Sequence, residues 1–511
     1  MRPISKILII VFIIFMSNIA YGAIIYVDGG LTGDCTSKNY SIANRDCSGS
    51  DGSAYITIAN AVSAASVGDS INIRAGIYTE NNISIGFSGP SMTTIQAYNS
   101  ESVTINNSAI HLPTISLGIA ADDITFKDLR FASLRWIEIT GWTNESGDIW
   151  YQPHFNEPNK VMFQDSGYGQ EVISKDALDT DNEWWWDSVN NRVYVYAESD
   201  PDNYYSGTNY AIAEGNGFNH FAIGNTSSNT GFIVVDNCEI ESFSHCGFKG
   251  GYKWWIKNSY IHDIGVTSQD HGIYLYGEHS SENEAILEYN YFKDITGSAV
   301  DIYLGGSTPS YHIIRYNLVN NADRSGIQLQ GAYNQVYNNS FYGGYIGIMF
   351  RGTASHSNVV RNNIFDGNYW CDIQIDYQGS QLQFPTNNTL TNNFLGSAAS
   401  VHGYCNGCSD RTSIGGPDYS SYIGNNTIMS SNNPFTSDSP SEWTDFILSV
   451  DSDCIDTGAN LDPYIGFALD QCDDKWPPST LEQDLYGSGW EIGAFVFNPA
   501  PCPPKNFEQV Q

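Results

Sequence analysis

Between Val235 and Leu395 one phrase recurs: an asparagine, then apolar residues, then a glycine-rich strand. It starts at Asn258, Asn290, Asn317, Asn339, Asn363 and Asn393, and subtracting successive numbers gives spacings of 32, 27, 22, 24 and 30. Irregular periods of this size, with short β-type runs and no helical periodicity, describe the coils of a parallel β-helix whose loops vary while its strands stay in register. Identical amides stacked about 4.8 Å apart can satisfy one another from coil to coil. The apolar residues beside them fill the interior, so 511 residues form one elongated body rather than several compact domains.

The charge balance narrows the partners. Lys plus Arg at 22 against Asp plus Glu at 56 gives a net charge of −34, which excludes a nucleic-acid binder because phosphate affinity needs clustered cations. The N-terminus sets the compartment. Two cations in Met1–Lys6, an apolar run over Ile7–Phe15 and the small residues of Ala20-Tyr21-Gly22 predict a signal peptide over 1–22, with the mature chain beginning near Ala23. No later stretch approaches 18 consecutive apolar residues, so the mature chain is expected to be secreted, periplasmic or at the cell surface, monomeric and free of membrane. Export also suits the ten cysteines. Cys35 with Cys47 and Cys454 with Cys472 are expected disulfides, Cys405 lies near Cys408, and Cys502 has no evident partner.

The stretch from Tyr55 through Ala59-Asn60-Ala61-Val62, Gly68-Asp69 and Ile71-Asn72-Ile73 to Glu80 resembles the N-terminal cap of secreted right-handed parallel β-helix proteins of the pectate-lyase superfold. Ala59–Ser66 reads as a short capping helix over the open end of the coil, with Ile71, Ile73 and Ile77 as the first inward residues. Cys454-Ile-Asp-Thr-Gly-Ala-Asn460 and Glu491-Ile-Gly-Ala-Phe495 are similar to a tail of that superfold, and Glu183 to Pro201 is similar to a module inserted in several of its glycoside hydrolases. The resemblance implies an all-β right-handed parallel β-helix with a cap and first coils over 23–135, a β-rich insertion over 136–210, main coils over 211–400 and an irregular tail over 401–511. The superfold hosts lyases, hydrolases, epimerases and non-enzymatic adhesins. Trp184 to Trp186 are read as the core of the insertion, with a sugar-stacking wall as the alternative.

Alternation along the strand after each Asn turn places Ile273, Leu275, Ile302, Ile327 and Ile348 inward. The residues between them then stack outward: Gly247 and Lys249, Gly272, Tyr274 and Tyr276, Asp301 and Tyr303, Gly326, Gln328 and Gln330, Gly347, Met349 and Arg351, Asp372 and Gln374. Two residues upstream stand His245, Asp270, Ala299, Arg324, Tyr345 and Trp370. In this register Asp270 and Asp301 sit on adjacent coils, two residues out of column, with Cα atoms roughly 8 Å apart. That spacing fits the acid and base of an inverting glycosidase, with His245 and Arg324 tuning the pair. Lys249, Tyr274, Tyr276, Tyr303, Gln328, Gln330 and Arg351 would bind a polysaccharide. The blander readings are loop-capping or Ca²⁺-binding for the aspartates, a hydrogen-bonded core role for His271, and sheet stacking for Tyr274 and Tyr303.

A polysaccharide hydrolase is therefore the leading expectation, requiring no cofactor and having Ca²⁺ as a candidate ion only. Elimination from a uronide is the first alternative, drawing on Lys249 or a tyrosine as base with Arg324, Arg351 or Ca²⁺ as the cation. It ranks second because the Lys and Arg pattern of alginate and chondroitin lyases on this fold is missing: Glu282-Asn-Glu284 and Val300-Asp-Ile-Tyr-Leu-Gly305 stand in its place. The Asp-Asp dipeptide and Gly-His-Gly of the pectin hydrolases are missing from the sheet as well. A non-catalytic glycan-binding or adhesin β-helix is the second alternative.

Overall fold

The computed structural model describes residues 22–498 apart from 110–111, 134–135, 140, 154–157, 164–166, 205–209, 215–219, 225–230, 252, 277–283, 304–309, 353, 378–386, 397–400, 406–423, 425, 462–465 and 474. Residues 1–21 of the expected signal peptide over 1–22, Cys408 and Cys502 fall outside the described residues. Three long sheets, all parallel, contain twelve, eleven and ten strands, and each full coil gives one strand to each sheet. One coil runs through Ile286–Glu288 in the first sheet, Tyr291–Ile295 in the second and Ser298–Tyr303 in the third. The chain returns to each sheet only after passing through the other two, which makes a right-handed parallel β-helix. It continues past Leu395 through Val401–Cys405 and Ile428–Met429.

Inside, identical positions stack. Ile273, Val300, Ile327, Ile348 and Ile373 are in register along the third sheet, as are Leu275, Ile302, Leu329, Phe350 and Ile375, and all are buried. Each such side chain contributes about 1.5–3 kcal/mol over its exposed state. The second sheet adds Ile261, Phe292, Val319, Phe341 and Phe365, with the rings of Phe341 and Phe365 stacked at 4.8 Å.

The corner between the first and second sheets is held by the asparagine stack. The amide nitrogen of Asn290 donates to Asn317 Oδ1 at 3.0 Å, Asn317 to Asn339 at 2.9 Å, Asn339 to Asn363 at 2.9 Å and Asn363 to Asn393 at 3.1 Å. The backbone N–H of each donating residue reaches the same oxygen, and the spare amide proton goes to a carbonyl of the preceding coil, as from Asn339 to Ile314. The residue before each rung has a positive φ, 56° at Asn258, 50° at Asn338, 55° at Asn362 and 54° at Asn392, a conformation asparagine tolerates better than most. This corrects the first repeat: Asn258 is a left-handed corner residue bonded to Asp236, and Ser259 occupies the rung below Asn290. A second stack, not anticipated, runs through His312, Asn334, Asn358 and Asn388 just before the first-sheet strands.

The cap forms largely as expected. Helix Ile58–Ala64 starts at Thr57, whose side chain accepts the N–H of Asn60, and the Glu80 carboxylate takes the free N–H groups of Ile58 and Ala59. Ile71 and Ile73 are buried, but Ile77 is 75% exposed and Tyr78 turns inward instead. A corner at Ala75-Gly76 separates strand Ser70–Ile73 from strand Gly76–Thr79 and resets the alternation between them. The Cys35–Cys47 disulfide is present. Cys454–Cys472 is not: Cys454 is a free thiol packed among Phe435, Phe446 and Ile492, while Cys472 is bonded elsewhere.

Between Trp136 and Glu214 lie a four-stranded antiparallel sheet and a five-stranded mixed one, antiparallel except where Gln170–Glu171 runs parallel to Glu183–Asp187. Trp184 and Trp186 are buried there with Val161, Phe163, Val193 and Val195, so they are core and not a wall. The tail folds back over the outer face of the second sheet, covering Tyr291, Leu318, Ile364 and Phe394 with Phe435, Phe446, Leu469 and Phe495. Its two motifs meet at the asparagine corner. Asn338 donates to the carbonyls of Glu491 and Gly493, and Asn362 exchanges hydrogen bonds with Ala459.

These contacts make two stability changes measurable. Asn339→Ala strips a central rung and leaves neighbouring buried amides without partners, so urea unfolding should show a loss of about 2–4 kcal/mol, whereas Asn432→Ala on the exposed surface should change little. Glu491 is fully buried, neither carboxyl oxygen makes a well-formed hydrogen bond, and burial pushes the group up to about 8. Its folded value lies above its unfolded one, so stability falls as pH rises from about 4.5 toward 8. Glu491→Gln should therefore be near neutral at pH 5 and stabilising by about 2–4 kcal/mol at pH 8, read by thermal unfolding at both pH values.

Candidate functional site

With the second sheet covered by the tail, the third sheet carries the outward polar and aromatic side chains. Its true register is Lys249, Tyr274, Asp301, Gln328, Met349, Gln374 in one column. Tyr276, Tyr303 and Gln330 form the next column, and Arg351 lies two residues beyond Met349 on the same strand. The Asp301 coil is thus shifted by two residues from the expected alignment, and Asp301 stands beside Tyr274 rather than Gly272. Gly297, not Ala299, shares the corner position with Asp270 and Arg324, as the hydrogen bond from Arg324 N to Gly297 O shows. Ala299 is core. Asp270 is four residues out of column from Asp301, which puts the Cα atoms roughly 14 Å apart along an extended strand.

Each aspartate is already engaged. Asp270, 4% exposed, takes the N–H groups of Val266 and Thr267 and the Thr267 hydroxyl on one oxygen and His245 Nδ1 at 2.9 Å on the other. It closes the 265–270 turn. Asp301, 3% exposed, accepts Gln328 Nε2 at 2.7 Å and lies 3.0 Å from His271 Nε2. Ser298 donates its N–H to His271 Nδ1, which leaves the ring proton on Nε2 pointing at Asp301. His271 is therefore a buried positioning residue with both nitrogens used, in agreement with a hydrogen-bonded core role.

Above this floor lies an aromatic layer. The Tyr274 ring stacks on His271 at 5.3 Å and on Tyr276 at 5.5 Å, and sits 6.2 Å from Tyr303 and 6.5 Å from His245. Burial pushes Tyr274 well above the ordinary phenol value, helped by Asp301, and pushes Tyr276 up to about 12. Burial pushes the Lys249 amine down, with the Cys246 sulfur opposing. For His245, burial works against the charge, yet Cys246 and Asp270 outweigh it and carry the imidazole up to about 9. Arg324 donates Nη1 to the Ser268 carbonyl and so ties its coil to the Asp270 turn. Gln328 Oε1 and Gln330 Oε1 are buried acceptors without a hydrogen-bond partner.

Further along the same corner the rings of Tyr345, Tyr369 and Trp370 stack, an arrangement that column positions alone do not reveal. Elsewhere, a groove of about 350 Å³ between Arg130, Glu239 and the tail residue Trp476 holds none of the expected site residues. Beside it Glu239, Glu241 and His262 are the one group among the described residues close enough to share a metal ion. Arg130 already pairs with both glutamates, and Asp263 holds His262 Nδ1 at 2.7 Å, so the charges are met as an ion-pair network.

Residues 271–435 match the family model described as right handed beta helix region. No curated protein sequence matches the chain. Among solved structures the chain is similar to pectate lyase Pel9A at 14% identity, covering 94% of this chain and 98% of that one with a TM-score of 0.46. It is also similar to XylC solved in complex with xylose, at 13% identity over 71% and 69% of the two chains with a TM-score of 0.40. A glycoside hydrolase matches at 12% identity over 73% and 96%, with a TM-score of 0.39. At these identities the likeness concerns the fold.

The Asp270–His245 contact has a pH signature. The folded value of His245, about 9, exceeds its ordinary value, so its stabilisation is complete below about pH 6.5 and is lost as pH rises toward 9. Asp270→Asn should weaken that dependence, leaving the part due to Cys246, and lower stability at pH 6 by about 1–2 kcal/mol. Thermal unfolding from pH 5 to 10 reads both effects, and an unchanged profile would show that the pair contributes nothing.

Proposed function

We propose that the outer face of the third sheet binds a polysaccharide and breaks it by elimination from a uronide. The observation that carries this reading is the column Lys249, Tyr274, Asp301, Gln328, in which burial pushes an amine down and a phenol up on adjacent coils. Lowering the value of an amine frees more of it to accept a proton at a given pH, and raising that of a phenol keeps it a proton donor rather than a base.

In this scheme Lys249 takes the proton beside the uronate carboxylate. The electron pair forms the new carbon–carbon double bond, and the bond to the leaving glycosidic oxygen breaks. A phenol, Tyr276 or Tyr303, returns a proton to that oxygen. Arg351 stands four coils from Lys249, about 20 Å along the sheet, so it would meet the charge of a more distant uronate unit, and the charge of the unit that loses its proton is left to a bound cation. Asp301 stays beneath as an acceptor that holds Gln328 and His271 in place.

Hydrolysis by an Asp270/Asp301 pair is the weaker reading. Both carboxylates are buried and hydrogen-bonded, and their Cα atoms stand roughly 14 Å apart rather than the roughly 8 Å that the pair required. Calcium is the candidate for that bound cation, and Asp301, two coils from Lys249, would help to hold it only by giving up Gln328 or His271.

The two chemistries leave different products. On polygalacturonate and alginate, elimination should yield the absorbance of an unsaturated uronide together with new reducing ends. Lys249→Ala should then lose at least about a hundredfold in kcat/KM, a loss expected when a general base is removed, while Tyr303→Phe should lose less. Reducing ends without that absorbance would establish hydrolysis instead, and neither product would leave a binding surface.

A further inference from the structure

A second feature on the same face lies two coils beyond Asp301. Tyr345 stacks on Tyr369 with ring centroids 6.0 Å apart and planes 28° from parallel, and on Trp370 at 5.8 Å and 17°. Tyr369 is 86% exposed, among the largest exposures of any aromatic side chain described. Hydrogen bonds hold the backbone of the platform to the preceding coil. Tyr369 N donates to Gly344 O at 2.8 Å and Trp370 N to Tyr345 O at 2.9 Å. Asn368 Nδ2 donates to Asp372 Oδ1 at 2.8 Å. Underneath, Ile346, Met349 and Cys371 form a small buried cluster of their own.

Leaving such rings in water is costly unless they receive something. Met349, which follows Asp301 and Gln328 in register, packs against Tyr345 and Trp370 and so joins the platform at the corner to the column of the proposed site. Two coil spacings and four residues along the strand put Tyr345 about 16 Å from Asp301, the reach of a short oligosaccharide. Gln328, Met349 and Gln374 floor that path and are buried, so it presents the rings together with the half-buried Gln330 and Arg351. A sugar chain, with hydroxyl rims and C–H faces, matches such a mixture of ring faces and polar groups, whereas a protein partner would favour a broader apolar patch.

We infer that Tyr345, Tyr369 and Trp370 form a sugar-stacking subsite, which holds a polysaccharide some units away from the bond that is broken. This rests on the proposed function for the direction in which the chain lies, but binding can be measured without cleavage. The role is that of the wall expected of the Trp-rich insertion, supplied here by a corner of the coil.

The test uses the full chain in native gels containing polygalacturonate, alginate or xylan. Wild type should be retarded by at least one of them, and Tyr369→Ala should weaken that binding about three- to tenfold. Because Tyr369 is exposed, this variant should keep the wild-type unfolding temperature. Trp370→Phe, which keeps a ring, should bind nearly as wild type. On a cleaved polymer, Tyr369→Ala should raise KM for long chains while leaving kcat and the turnover of short oligomers unchanged. Retardation equal to wild type in Tyr369→Ala, or no retardation of wild type by any of the three polymers, would overturn the subsite. So would a wild-type dimer that Tyr369→Ala dissociates, since the rings would then serve a copy of the chain. Binding that depends on Tyr369 without any cleavage would uphold the subsite and sink the catalytic proposal instead.

Discussion

The hydrogen-bonded stack from Asn290 to Asn393 is the constraint on which the coil depends. A tight corner in a solenoid must turn the backbone within one residue while satisfying the N–H groups it exposes to the interior. A left-handed residue makes the turn, and the amide after it takes up the stranded groups from its own coil and the next. Each rung therefore fixes the height of its neighbour, and with it the register of all three strands on that coil. Buried polar groups are costly when half satisfied and specific when fully satisfied. Here every rung depends on the one above, so the stack penalises a slipped coil more than apolar packing alone could.

Because the corner sets the register, the outward columns are free to carry chemistry. The inward residues are interchangeable aliphatics and phenylalanines, whereas the outward residues divide by face. On the second sheet they are apolar where the tail lies, as at Leu318, Ile364 and Phe394, and charged on the earlier coils, as at Arg130, Glu239 and His262. On the third sheet they are Lys249, Tyr274, Asp301, Gln328 and their neighbours. The tail thus does more than close the end of the molecule. By occupying one outer face it leaves another for a ligand, and Asn338 and Asn362 bind it through the same corner that builds the coil.

Much of this is legible in the sequence, because stacking is periodic. The recurring asparagine points to the corner, and alternation places Ile273, Leu275, Ile327 and Ile348 inside, where they are. What is not legible is phase. Asn258 and Ser259 are adjacent, and both residue types suit a corner; only the geometry shows which one is the rung. Val300-Asp301-Ile302 offers aliphatics on both sides of the aspartate, so a slip of two residues keeps every apolar residue inside and leaves the pattern intact. Strict alternation carried across the corner at Ala75-Gly76 points Ile77 inward, but the corner resets it. Cys454 and Cys472 are near in sequence, yet proximity along the chain says nothing of the Phe435 and Phe446 rings that enclose one of them.

That slip of two residues decides the chemistry. With Asp301 beside Gly272, two carboxylates would face one another across adjacent coils, and a hydrolase would follow. With Asp301 beside Tyr274, one carboxylate closes a turn and the other anchors a glutamine and a histidine, leaving an amine and phenols to meet the ligand. Both alignments satisfy the inward pattern equally, because a period of two is preserved by any even shift. Only the stacked amides and the loop lengths between them distinguish the two. In a solenoid the residues that determine function therefore depend on side chains a corner away, which contact no substrate and whose contribution is to count residues correctly.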